Sequence, residues 1–229
     1  MTPDDVASRI FEIGIVPVVR AASVDEAIRA VEAICAGGLP VVEITMTVPD
    51  AHLVIREVVR RYGSEVLTGA GTVLTAEQAK MCLDAGAEFL VSPGVSLPVL
   101  STAQASGKLA IPGALTPTEL MYARDNGAEL IKIFPCGNLG GPNYLKSLRG
   151  PFPDVSLIPT GGVNLSNAAA YIAAGAFALG VGADLVDIAA LRNGNLAKIS
   201  AAARKLVEAV RRARQGESFD QAHPALSET

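Results

Sequence analysis

Short apolar runs alternate along this chain with longer stretches in which apolar residues recur every three or four positions. The runs have the length and composition of buried strands, and the longer stretches have the spacing of amphipathic helices. The pattern predicts eight strands, over residues 15–20, 41–45, 67–71, 89–92, 109–112, 130–135, 157–160 and 178–182.

A predicted helix precedes the first strand, and a further helix follows each strand. Ser23, Thr75 and Thr116 have the side chains that cap helix N-termini, and glycines such as Gly63 and Gly127 stand where helices end. The helices are predicted over residues 4–13, 23–37, 49–62, 75–86, 97–107, 116–127, 143–148, 167–175 and 196–214.

This regular alternation decides the fold class. Strands joined by helices pair in parallel through right-handed crossovers, and eight such units close into a (β/α)8 barrel, with the first helix as an N-terminal plug. An open doubly wound sheet would predict a glycine-rich dinucleotide loop after the first strand, where Arg20-Ala21-Ala22-Ser23 stands instead. The sequence therefore predicts an α/β TIM barrel over residues 1–214 as a single domain. A polar tail over residues 215–229 is expected to be poorly ordered.

Composition excludes several classes of function. Half of the 229 residues are hydrophobic, which supplies a large core, and the net charge is -4 with 18% charged residues. No basic stripe for nucleic acid is visible, and no apolar run is long enough to cross a bilayer. The N-terminus is acidic and lacks the pattern of a signal peptide, so we expect a cytoplasmic protein with no nucleic-acid or membrane partner.

Cysteine and histidine are too few for a metal or disulfide framework. Cys35, Cys82 and Cys136 are odd in number and widely spaced, which is typical of free thiols. The two histidines, His52 and His223, cannot form a multi-histidine metal site. We expect no metal and no other cofactor.

Lys132 is the lysine with the most unusual surroundings. It interrupts the apolar run Leu130–Phe134, whereas the other five lysines lie in polar or helix-like stretches. Burial of an ammonium group costs free energy and favours the neutral amine, which is the form that attacks a carbonyl. The alternative is a lysine that reaches solvent from a strand end and pairs with an acid.

Glu43 is a second charged residue inside an apolar strand. Beside Lys132 it would share a proton with the amine and serve as general acid/base, whereas the structural alternative is an ion pair that only neutralises two charges. Two such residues in two strands of one barrel favour the catalytic interpretation.

Further polar groups stand at the predicted strand ends, where chemistry collects in a barrel. The glycines that follow the last two strands offer backbone N-H groups for a phosphate. The strand-end set comprises Arg20, Thr45, Thr47, Thr72, Ser92, Pro93, Pro112, Phe134, Thr160, Gly161, Gly162, Gly182 and Ala183.

With these residues named, the chain resembles the bacterial 2-keto-3-deoxy-6-phosphogluconate (KDPG) and 4-hydroxy-2-oxoglutarate (KHG) aldolase family. The resemblance extends from about Ile15 to Val186. It rests on seven motifs in the same order, namely Val-Glu-Ile-Thr with Thr-Val-Pro-Asp-Ala (42–51), Gly-Ala-Gly-Thr-Val-Leu (69–74), Ser-Pro-Gly (92–94), Ile-Pro-Gly (111–113), Lys-Ile-Phe-Pro (132–135), Gly-Pro-Phe-Pro (150–153) and Pro-Thr-Gly-Gly-Val (159–163).

The resemblance implies a metal-free class I aldolase, a homotrimer of barrels acting on a small 2-keto acid in carbohydrate metabolism of the Entner-Doudoroff type. It implies Lys132 as the Schiff-base lysine and Glu43 as the general acid/base. The implied pyruvyl pocket comprises Thr72, Pro93, Phe134 and Thr160, and the implied phosphate site comprises Gly161, Gly162, Gly182 and Ala183.

Two positions depart from the family pattern. Many members carry, at the position of Thr47, an arginine that holds the substrate carboxylate. Arg20, supported by the hydroxyls of Thr72 and Thr47, is the expected replacement. Many members also have a phosphate-binding serine where this chain has Ala183, with Asp184 beside it.

The expected reaction is cleavage of KDPG to pyruvate and glyceraldehyde 3-phosphate through a lysine imine and an enamine. Aldolases for KHG or for the galactonate epimer of KDPG stay open as alternatives within the same chemistry. A phosphate-binding barrel isomerase, which would use Glu43 as a base and form no imine, and a non-catalytic barrel stay open as alternatives of other classes.

Overall fold

The structure is a computed structural model that describes residues 1–215, and it is an α/β fold with parallel strands. The strands are β1 (Ile15–Val19), β2 (Val41–Thr45), β3 (Leu67–Gly71), β4 (Phe89–Val91), β5 (Leu109–Ile111), β6 (Gly113–Ala114), β7 (Leu130–Ile133), β8 (Ser156–Pro159) and β9 (Leu179–Val181). Apart from Gln215, the predicted tail lies outside the described residues.

Helices lie between and beside the strands much as predicted. They are α1 (Pro3–Ile13), α2 (Val24–Ala36), α3 (Ala51–Tyr62), α4 (Ala76–Asp84), α5 (Leu97–Ala105), α6 (Pro117–Asp125), α7 (Pro142–Arg149), α8 (Ala168–Ala173), α9 (Ile188–Arg192) and α10 (Leu196–Ala213). Short 3-10 turns cover Gly63–Glu65 and Cys136–Leu139. The short helix α9 was not predicted.

The strands form a curled parallel sheet with two hydrogen-bonded parts. Six strands follow the order β5-β4-β3-β2-β1-β9, and three follow the order β6-β7-β8. The chain passes from β5 to β6 through Pro112, where the predicted fifth strand is interrupted because proline lacks the N-H that a strand ladder needs. A parallel bridge between Thr160 and Gly180 joins the end of β8 to β9.

Two hydrophobic clusters alternate along the strands, as the two-residue period of a strand requires. On one face, which we call the inner face, side chains such as Val41, Phe89 and Leu130 pack with Ile10 and Phe11 of α1. On the opposite face, side chains such as Val42 and Ile131 pack against the surrounding helices. Glu43 and Lys132 stand two residues after Val41 and Leu130, and therefore lie on the inner face.

The three predicted N-cap residues, Ser23, Thr75 and Thr116, each accept a hydrogen bond from a helix amide. The Ser23 hydroxyl accepts a hydrogen bond from the Glu26 amide, as predicted, while the Glu26 carboxylate accepts one from the Ala22 amide. Thr116 and Glu119 form a reciprocal capping box at α6. Each such cap satisfies N-H groups that a helix start leaves open.

The C-terminal helix is fastened to the beginning of the chain. The Arg214 guanidinium donates hydrogen bonds to the carbonyls of Phe11 and Phe177, and lies 4.4 Å from the centroid of the Phe11 ring. These contacts join the end of α10 to α1 and to the segment that enters β9. Among the helices of residues 1–215, none has the length and apolar composition of a membrane span.

Gly69 yields a prediction about stability. A Cβ at this position would lie 2.3 Å from the ring of fully buried Phe89, so Gly69→Ala forces the inner face to shift. Overpacking of this kind costs about 1–3 kcal/mol. We expect the free energy of unfolding to fall by that amount in urea denaturation at fixed protein concentration.

Gly94→Ala is the matched control for this variant. Gly94 is exposed, its φ is not positive, and a Cβ there would have no contact within 4 Å. We expect the control to stay within about 0.5 kcal/mol of the parent protein. Equal unfolding free energies for the two variants would contradict the packing described for the inner face.

Candidate active site

Lys132 and Glu43 form an ion pair on the inner face. Lys132 lies in β7 and Glu43 in β2, and their Nζ and Oε1 atoms are 3.8 Å apart. The two residues are 5% and 3% exposed, so both charged groups are almost completely removed from water. The condition of the catalytic interpretation, a Glu43 side chain beside Lys132, is therefore met.

Gly71 provides the space that the Glu43 carboxylate occupies. Gly71 pairs with Thr45 in the β2–β3 ladder, and a Cβ at Gly71 would lie 1.8 Å from Glu43 Oε1. That oxygen has no hydrogen-bond partner among the described residues. A buried carboxylate oxygen with free lone pairs can exchange a proton with a ligand or a water molecule.

The amine of Lys132 is enclosed by aromatic and backbone groups. Its Nζ lies 5.4 Å from the centroid of the Phe134 ring. The backbone N-H of Lys132 donates to Pro112 O, and the register partners of Lys132 are Gly113 in β6 and Ile158 in β8. The packing around this strand therefore fixes where the amine points.

Pro93 lies beside this lysine strand. Gly113 has no side chain at the point where β6 passes the loop after β4, and a Cβ there would lie 2.2 Å from Pro93 O. Pro93 therefore approaches the register partner of Lys132, in keeping with its predicted place near the pocket.

Arg20 and Thr47 meet at the carboxyl ends of β1 and β2. Arg20 Nη1 donates to Thr47 Oγ1 at 3.1 Å, and Thr47 Oγ1 lies 2.7 Å from Thr45 Oγ1. Thr45, which is completely buried, donates to Val19 O at 2.9 Å. The prediction named Arg20 and Thr47 as substrate-binding residues, but it assigned no role to the Thr45 hydroxyl that connects them to the strands.

Thr72 follows β3 in an unusual backbone conformation. Its φ is +56°, in the left-handed region that a β-branched residue rarely adopts. Such a conformation costs about 1–3 kcal/mol and is concentrated at ligand-binding sites. This strain agrees with a functional role for Thr72 at the rim.

Thr160 and Gly161 connect the ends of β7 and β8. Thr160 is buried, its amide donates to Ile133 O, and its hydroxyl fills the space that a Cβ at Gly180 would occupy. Gly161 has a φ of +85° and packs against the Phe134 ring. A Cβ added to Gly161 would lie 3.3 Å from atoms of that ring. The close approach and the positive φ together require glycine here.

The other predicted phosphate-binding residues lie in the same region of the sheet. Gly162 has a φ of +78° and approaches Gly137, while the Asn167 side chain donates to Gly162 O at 2.8 Å. Gly182 and exposed Ala183 follow β9, and Gly182 O accepts from the amides of Leu185 and Val186.

Cys136 and His52 lie on other elements than Lys132 and Glu43. Cys136 is buried, its Sγ lies 3.7 Å from Gly141 O, and burial raises the pKa of its thiol. A protonated thiol is a poor nucleophile, so the surroundings of Cys136 favour a packing role over a catalytic one. His52 lies on α3, and His223 lies outside the described residues.

Comparison with known proteins shows similarity to aldolases. The family model for KDPG and KHG aldolases matches residues 6–202. The KHG/KDPG aldolase of Escherichia coli K12 is 36% identical over 194 residues, which are 85% of this chain and 91% of the relative. The 2-dehydro-3-deoxy-6-phosphogalactonate aldolase of the same organism is 35% identical, over 76% of this chain and 85% of the relative.

A solved structure extends this similarity to three dimensions. The KDPG aldolase of Legionella pneumophila, with pyruvate captured at low pH as a covalent carbinolamine intermediate, has a TM-score of 0.82 and 31% identity. The similarity covers 90% of this chain and 98% of that chain. The chain therefore belongs to the KDPG and KHG aldolase family.

Proposed function

We propose that this protein is a class I aldolase that cleaves KDPG to pyruvate and glyceraldehyde 3-phosphate through an imine at Lys132. The observation that carries the proposal is the enclosed Lys132–Glu43 pair, with 3.8 Å between amine and carboxylate, on the inner face. Family membership supports the same chemistry, because a relative of similar fold holds pyruvate as a carbinolamine.

The reaction begins when Lys132 transfers a proton to Glu43, and the neutral amine then attacks the C2 carbonyl of the 2-keto acid. The product is a carbinolamine, and Glu43 donates the proton with which its hydroxyl leaves as water. The resulting iminium ion withdraws electrons from the neighbouring carbon-carbon bond. Oε1 of Glu43 is suited to this proton transfer because it has no hydrogen-bond partner among the described residues.

Glu43, directly or through a water molecule, then removes the proton of the C4 hydroxyl. The C3-C4 electrons move into the iminium, the aldehyde leaves, and an enamine stays on Lys132. Protonation of the enamine at C3 and hydrolysis of the imine release pyruvate and restore the amine. Glu43 thus alternates between acid and base in one cycle.

The substrate-binding roles extend the same proposal. Arg20 and Thr72 hold the carboxylate, Pro93 and Thr160 line the pyruvyl pocket, and Phe134 keeps water from the amine. Gly161, Gly162, Gly182 and Ala183 face the phosphate, where the missing serine hydroxyl removes one hydrogen bond, worth about 1 kcal/mol. Support comes from the strained Thr72 and from the packing of Gly161 on Phe134.

The scaffold of this proposal is a closed (β/α)8 barrel over residues 1–214, plugged by α1, which acts as a cytoplasmic homotrimer. Closure is supported by the Thr160–Gly180 bridge and by the passage through Pro112, and the plug by the packing of Ile10 and Phe11 on the inner face. We expect sedimentation equilibrium to give about three times the 23.6 kDa chain mass, and a monomer mass would contradict the trimer.

Trapping with pyruvate and borohydride tests the chemistry. We expect reduction to add roughly 72 Da to the peptide that carries Lys132, because the Schiff base is the covalent intermediate. Lys132→Met should abolish the adduct, and its activity should fall by several orders of magnitude. The measurement is peptide mass spectrometry with circular dichroism to verify folding.

Two further variants make the trapping experiment specific. Lys108 pairs with Glu88 at 2.6 Å at the opposite end of the strands, so Lys108→Met is a matched lysine control that should retain the adduct. Glu43→Gln should still bind pyruvate but form the imine about 10²–10⁴-fold more slowly, since it cannot transfer the proton. An adduct in folded Lys132→Met protein would remove Lys132 from its role.

The closest alternatives use the same imine on other substrates. The sequence identity of this chain to a relative named as a phosphogalactonate aldolase, 35%, is close to its 36% identity to a relative named as a KHG/KDPG aldolase. We expect kcat/KM to be highest for KDPG, and steady-state rates on KDPG, its galactonate epimer and KHG measure the order. A folded protein that isomerises a sugar phosphate and traps no pyruvate would instead support the isomerase.

A further inference from the structure

A chain of hydrogen bonds connects the backbone of β1 to the guanidinium of Arg20. It runs from Arg20 Nη1 to Thr47 Oγ1 at 3.1 Å, from Thr47 Oγ1 to Thr45 Oγ1 at 2.7 Å, and from Thr45 Oγ1 to Val19 O at 2.9 Å. Thr45 is completely buried, whereas Thr47 and Arg20 are exposed at the rim. One end of the chain is therefore buried, and the other is exposed beyond the carboxyl ends of β1 and β2.

The direction of every bond in this chain follows from the number of protons. A carbonyl oxygen only accepts, so the single proton of the Thr45 hydroxyl is committed to Val19 O. Thr47 must then donate to Thr45, because Thr45 has no second proton. The guanidinium only donates, so Arg20 donates to Thr47. Both hydroxyl protons are used inside the protein, and the Thr47 hydroxyl has none for a ligand.

Arg20 has the charge that a substrate carboxylate would need. No carboxylate in residues 1–215 forms an ion pair with Arg20. One N-H of its guanidinium is used by Thr47, and the others can bind a carboxylate in a planar, two-point arrangement. An exposed arginine side chain loses much rotamer freedom when it binds a ligand. A hydrogen bond that already holds the guanidinium in place, here the one to Thr47, reduces that loss.

We propose that Thr45 and Thr47 are positioning residues that orient Arg20 toward the carboxylate of the substrate, and that neither hydroxyl donates to the substrate. The inference rests on the proposed function for the identity of the ligand, a 2-keto acid. It changes the expected role of Thr47, whose hydroxyl holds the arginine rather than the carboxylate. Arg20 is then the group that contacts the ligand.

The test uses the dependence of borohydride trapping on pyruvate concentration. We expect Thr47→Val to raise the half-saturating pyruvate concentration about tenfold, with the maximum trapping rate within about twofold, because binding and not imine chemistry is affected. Thr47→Ser retains the hydroxyl and should stay within about threefold of the parent protein. Thr45→Val, checked for folding by circular dichroism, should weaken pyruvate binding in the same way as Thr47→Val.

Thr68→Val is the matched control. Thr68 is also a buried strand threonine, and its hydroxyl contacts only Val66 O, at 3.4 Å, among the described residues. It lies in β3 on the face opposite Gly69 and Gly71, so its replacement should leave the half-saturating concentration unchanged. An equal effect of Thr68→Val and Thr47→Val would mean that loss of a threonine hydroxyl perturbs the fold in general.

A double variant separates positioning from direct contact. If Thr47 acts through Arg20, Arg20→Gln with Thr47→Val should bind pyruvate no more weakly than Arg20→Gln alone, whereas independent contacts would add. Additive effects, or an unchanged Thr47→Val variant in a parent protein that traps pyruvate, would overturn the inference alone. A parent protein that traps no pyruvate would instead overturn the proposed function, and this inference with it.

Discussion

Lys132 and Glu43 place an amine and a carboxylate where both are almost completely removed from water. Removing two charges from water costs several kcal/mol per group, and attraction across 3.8 Å offsets this only in part unless hydrogen bonds satisfy the remaining polar atoms. Here Glu43 Oε1 lacks a hydrogen-bond partner among the described residues. A purely structural ion pair would leave the molecule less stable than apolar packing, so the pair is better explained by chemistry.

The packing of the inner face adapts to this pair. In β3, Gly69 leaves room for the Phe89 ring and Gly71 leaves room for the Glu43 carboxylate, two residues further along the same face. Below the pair, side chains of the strands and of α1 fill the space, and above it the polar rim begins. In β2 and β7 the transition from apolar to polar side chains therefore falls within one two-residue step, from Val41 to Glu43 and from Leu130 to Lys132.

Much of the fold followed from periodicity, and the central pair followed from charge. Glu43 and Lys132 were identifiable because a charged residue in an apolar strand is rare. Thr45 was named among the strand-end residues, but its role was not predictable, since threonine is common in strands. Its partner is a carbonyl 26 residues away, which no local pattern indicates. The five-residue helix α9, whose cap Asp187 also pairs with Lys198, was too short to give a periodic signal.

The pairing of β1 with β2 couples the acid/base to the cation at the rim. Val18 pairs with Glu43 and Val19 with Ile44. Thr45 at the end of β2, and Arg20 and Thr47 just beyond the ends of the two strands, follow directly. A shift of one residue in this register would turn the Glu43 side chain to the opposite face and remove Val19 O from Thr45. The carboxylate on the inner face and the guanidinium at the rim therefore depend on one backbone register. A guanidinium supplied by β1 can thus serve in place of the arginine that the family resemblance leads us to expect at position 47.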